Sequence, residues 1–61
     1  MDKLEFVEFM QKQGFRCELN ERGLPTIWFQ GSPQKAKSLK RIVKSSGYNA
    51  SWGIVYAHAH D

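Results

Sequence analysis

The 61-residue chain carries one cysteine, Cys17, so an intramolecular disulfide is excluded. No apolar run approaches the length that spans a bilayer, and no membrane insertion is expected. Met1-Asp2-Lys3 passes straight into an acidic amphipathic segment without the apolar core of a secretory signal. With the unpaired thiol, this predicts a reducing, cytoplasmic location. Gly-rich phosphate loops, paired metal-ligand motifs and nucleophile elbows are also missing, so neither a cofactor nor an enzyme is expected.

What is present is enough to fold. Residues of hydrophobic type make up 41% of the chain, with four Phe, two Trp and two Tyr, too many for a segment that stays disordered. The length allows a single domain over 1–61 with a thin core, since a chain of this size buries only about 60% of its unfolded surface. Small domains offset a thin core with disulfides, a metal or self-association. The lone cysteine removes the first of these, and a homodimer becomes the expected aid.

The order of elements follows from periodicity and punctuation. Asp2 and Glu5 have the spacing of a capping box, opening a helix over 3–13 whose apolar stripe is Phe6, Val7 and Met10, widened by Leu4 and Phe9. Gly14 ends it. Phe15, Cys17 and Leu19 then alternate with Arg16 and Glu18, a strand with one buried face. Asn20-Glu21-Arg22-Gly23 is turn chemistry, and 26–30 forms the second arm of a hairpin. Ser32 and Pro33 open a second helix over 33–46, closed by Gly47. A last strand over 52–59 puts Trp52, Ile54 and Tyr56 on one side and Gly53, Val55 and Ala57 on the other.

The predicted fold is therefore α+β, in the order α-β-β-α-β, with both helices on one face of a three-stranded sheet. Strand order 2-1-3 is expected because it makes every neighbouring pair antiparallel and leaves Pro25 at an edge, where its missing amide is harmless. The other face of the sheet has no element to cover it.

The second helix carries the sharpest functional signal. Residues 32–48 hold five basic side chains and no acid. On a helical wheel Ala36, Leu39, Ile42 and Val43 form the apolar stripe, while Lys37, Lys40, Arg41 and Lys44 cluster opposite. Like charges on one face repel, and no acid at i,i+4 relieves them. Phosphates would, with Arg41 gripping one through two donors and the lysines acting as point charges. DNA or RNA is the expected partner, and the protein a small non-catalytic nucleic-acid-binding or regulatory one. A merely solvated face, an acidic protein or a membrane surface would fit the same composition.

The alternative function is a protein-interaction module. If Trp28, Trp52 and Tyr56 share the uncovered sheet face, they form either a homodimer interface or a platform for stacking bases. His58 and His60 lie on one side of an extended chain ending in Asp61, but two imidazoles fall short of the four ligands of a structural zinc site. Cys17 is predicted to face inward, away from Arg16, and so is not activated as a nucleophile.

Overall fold

A computed structural model describes residues 1–57. It contains α1 (Lys3–Lys12), β1 (Arg16–Leu19), β2 (Pro25–Gln30), a 3₁₀ turn (Pro33–Ala36), α2 (Lys37–Ser46) and β3 (Gly53–Ala57). The elements make an α+β domain of two helices and a three-stranded mixed sheet.

The capping box forms as expected. The Glu5 N–H donates to Asp2 Oδ1 at 2.8 Å, and the Asp2 N–H donates to Glu5 Oε1 at 2.9 Å, so two amides that lack helical partners are satisfied by each other's side chains. At the far end Gly14 takes φ +94°, a conformation open to glycine without a steric cost, and turns the chain into β1. Phe6 and Met10 are fully buried, whereas Leu4 stays 60% exposed and leaves the stripe narrower than predicted. In the hairpin, Asn20 Oδ1 accepts from the N–H groups of Arg22 at 2.8 Å and Leu24 at 3.0 Å. The Asn20 N–H donates to the Leu24 carbonyl at 2.8 Å and sets the register of the two strands.

Strand order is 1-2-3, which corrects the expected 2-1-3. β1 and β2 pair antiparallel, but β2 and β3 pair parallel, so the sheet is mixed. The crossover through α2 returns the chain in the same direction as β2. The apolar run Ile27-Trp28-Phe29 then occupies the centre, which suits a strand with neighbours on both sides. Pro25 is tolerated there because it is the first residue of the strand. It pairs with Leu19, while β3 begins alongside Thr26, one residue beyond.

The core lies on one face of the sheet and joins Phe6 and Met10 of α1, Leu39 and Val43 of α2, and Cys17 and Ile27 of the strands. Tyr48, just after α2, stacks on Phe6 with ring centroids 4.4 Å apart and planes 10° from parallel. Its hydroxyl donates to the Ser51 carbonyl at 3.1 Å, so the polar end of a buried ring is satisfied. Each such large side chain contributes on the order of 1.5–3 kcal/mol by leaving water.

Candidate nucleic-acid interface

The predicted second helix is two pieces. Pro33 to Ala36 forms a 3₁₀ turn, and the α-helix proper starts at Lys37. Ser32 has the extended backbone of an N-cap, but its side chain makes no capping bond, and its carbonyl accepts from the Lys35 N–H at 3.0 Å. At the other end Gly47 adopts φ +87° and its N–H reaches the Lys44 carbonyl, closing α2 as expected. Ser45 and Ser46 bond back to the carbonyls of Ile42 and Val43 at 2.8 and 2.6 Å.

Within α2 the apolar and basic faces separate. Leu39 and Val43 are buried and Ile42 packs against the core, whereas Lys37, Lys40, Arg41 and Lys44 are all exposed. Lys37 with Lys40 and Arg41, and Lys44 with Lys40 and Arg41, stand three or four residues apart, so each of these pairs is neighbouring on the helix surface. Among the described residues the ion pair formed is Arg16 Nε with Glu18 Oε2 at 3.7 Å, and none of the α2 cations takes part in one. The sequence between Arg22 and His60 contains no acid, and the carboxylates of Asp2, Glu5 and Glu8 belong to α1 or its cap. Among the described residues α2 therefore presents four cations without an acidic partner on one face, while its opposite face packs into the core.

The three aromatic residues expected to share the open face do not. Pairing of Ile27 with Ile54 and Phe29 with Tyr56 puts the row Trp52, Ile54 and Tyr56 on the side covered by the helices. Tyr56 meets Phe29 edge-on at 6.2 Å, and Trp52 lies 6.4 Å from Phe6 in a tilted contact. Trp28 pairs with Val55 on the opposite, open face, together with Arg16 and Glu18. The sheet itself separates Trp28 from the other two, so no single patch contains all three. The reason is the register of β2 with β3, which places even positions of β3 beside odd positions of β2.

Trp28 is also not a bare stacking surface. The guanidinium carbon of Arg16 sits 4.6 Å from the centre of its ring, in cation–π range. This contact was not legible in the sequence, since it depends on the register that sets Arg16 opposite Trp28. Where β1 and β2 part beyond that pair, a shallow cleft of about 400 Å³ opens, lined by Gly14, Phe15, Arg16, Trp28, Phe29 and Gln30.

Cys17 is 1% exposed, and its pKa is raised by burial first and by the Glu18 carboxylate second. Its thiol is neutral at ordinary pH. No group of three or more His, Cys, Asp or Glu side chains comes together among the described residues. His58, His60 and Asp61 lie outside the described residues. No described helix is long and apolar enough to cross a membrane.

Comparison with known proteins adds no relative: no family model, no curated protein and no solved structure matches the chain.

Proposed function

We propose that the protein is a small, non-catalytic nucleic-acid-binding or regulatory protein that contacts phosphates through Lys37, Lys40, Arg41 and Lys44. The supporting observation is the state of these side chains: all exposed, all on one helix face, and none engaged by an acid among the described residues. Like charges held this close repel one another, and a row of phosphates removes that repulsion while releasing condensed counterions. A regular helix face offers regularly spaced cations, which suits a backbone of repeating charge better than base-specific recognition. Arg41 is the one member able to hold a phosphate through two parallel donors. The reading therefore assigns α2 affinity with little sequence preference.

The test is a binding series on single- and double-stranded DNA and RNA at two or more salt concentrations, for the intact chain and for a variant with all four residues changed to Glu. Binding is expected to weaken steeply with salt, and the variant should lose it while keeping its far-ultraviolet circular dichroism. Equal binding by a folded variant, or no binding by the intact chain at low salt, overturns the reading.

A further inference from the structure

The two edges of the sheet are built differently. Along β1, the edge is occupied by α1: Gln11 Nε2 donates to the Cys17 carbonyl at 2.9 Å, and just before the strand the Phe15 N–H donates to the Met10 carbonyl at 3.1 Å. β1 also carries Arg16 and Glu18, both exposed. β3 has none of these devices. It reads Gly53-Ile54-Val55-Tyr56-Ala57, with no charge and no proline, and among the described residues no hydrogen bond reaches its outer side. Edge strands that remain single are normally short, charged, bulged, interrupted by proline or covered.

The register decides which backbone groups β3 turns outward. Because Asn20 bonds to Leu24, the pairs Glu18–Thr26 and Arg16–Trp28 are the ones that exchange bonds across β1 and β2. Alternation then turns the amides and carbonyls of Ile27 and Phe29 toward β3, where they meet Gly53, Val55 and Ala57. The backbone groups of Ile54 and Tyr56 face away from the sheet.

We propose that β3 pairs antiparallel with β3 of a second copy, about a two-fold axis through Val55, so that two sheets become one. In that register Ile54 stands opposite the partner's Tyr56, each exchanging its N–H and C=O with the other. Val55 meets the partner's Val55 on the open face, in the closer, non-hydrogen-bonded position. An aromatic residue opposite a β-branched one is a favourable cross-strand pair, and it occurs twice by symmetry. The strand is thus its own complement, which is the argument for a second copy over an unrelated peptide. Charge agrees: two chains of net charge +3 meet on a strand that carries none, with no like charges placed opposite each other. Val55, 43% exposed in the single chain, becomes the centre of the contact. This interface is independent of α2 and of phosphate binding.

The experiment uses the full chain. Sedimentation equilibrium should show a monomer–dimer equilibrium. Val55→Asp, which places two carboxylates across the axis, should weaken dimerisation by about tenfold or more with circular dichroism unchanged. Val55→Cys should form a disulfide-linked dimer rapidly under mild oxidation, because Cα atoms of a non-hydrogen-bonded pair lie about 4.5 Å apart, within disulfide reach. The intact chain, whose Cys17 is buried, and Glu18→Cys on the opposite edge should cross-link slowly or not at all. A strict monomer at all concentrations, a dimer indifferent to Val55→Asp, or cross-linking of Glu18→Cys as fast as that of Val55→Cys overturns the proposal. The cysteine variant keeps the test decisive if the aspartate variant fails to fold.

Discussion

The side-chain amide of Gln11 donates to the main-chain carbonyl of Cys17 across 2.9 Å, tying the last turn of α1 to the edge of β1. A carbonyl of an edge strand would otherwise face water or another chain. One glutamine thereby both anchors the helix on the sheet and closes that edge.

Changing Gln11 to Met keeps the length and helix propensity of the side chain but removes the donor. The expected loss is about 0.5–1.5 kcal/mol, read as a lower midpoint in urea with an unchanged slope. An unchanged midpoint would show that water replaces the bond at no cost.

Cys17 predicts an alkaline sensitivity. Its folded pKa is raised, so the folded state holds the thiol proton more tightly than the unfolded state does. The associated stability is fully present below the unfolded thiol value, about 8.5, and is lost as pH rises from there through the folded pKa. Urea midpoints should fall as the pH is raised above about 8.5 for the native chain and fall less for Cys17→Ala, which is less stable at neutral pH because of the cavity it leaves. Parallel curves for the two chains across that range would refute the assignment.

Gly47 separates backbone cost from side-chain clash. An added Cβ there meets nothing within 4 Å, yet φ is +87°. Gly47→Ala should therefore cost about 1–2 kcal/mol through conformation alone, and Gly47→Asn less, since Asn tolerates the left-handed region better. Thermal unfolding of the two variants side by side checks the order, and equal stability of Ala and Gly at this position would contradict the observed cap.

If phosphates line the basic face of α2, each of Lys37→Ala, Lys40→Ala, Arg41→Ala and Lys44→Ala should reduce the salt slope of duplex binding by roughly 0.9. Lys12→Ala, on α1, should leave the slope unchanged. Equal effects at Lys12 and at the α2 positions would mean that binding follows net charge and not a defined surface.

The local features of the fold were legible in the sequence because each rests on a few neighbouring residues. Asp2 with Glu5, Gly14, the Asn20 turn and Gly47 all act where their spacing placed them. The basic face of α2 was legible for the same reason, since a helical period needs only the chain itself. Strand order was not. The missing amide of Pro25 favours an edge, but the first residue of a central strand can lie beyond the start of its neighbour, as Pro25 does. The faces of Trp28, Trp52 and Tyr56 depend on the registers of β2 with its two neighbours, which no local period in the chain fixes. Arg16 over Trp28 and Gln11 on Cys17 are contacts between different elements, with no local period to announce them.

The parallel pairing of β2 with β3 has a consequence for how the chain acquires its structure. α1, β1 and β2 are consecutive and can associate through short loops, but Thr26 finds Gly53 only after the whole crossover through α2 has been gathered in. That closure carries an entropic penalty that the local elements avoid, so docking of β3 is expected to come late in folding. Until it does, Ile27 and Phe29 hold their backbone bonds open to solvent in the middle of the future sheet. The time between emergence of the hairpin and arrival of β3 is then the interval in which this protein is most exposed to proteolysis and to pairing with the wrong strand.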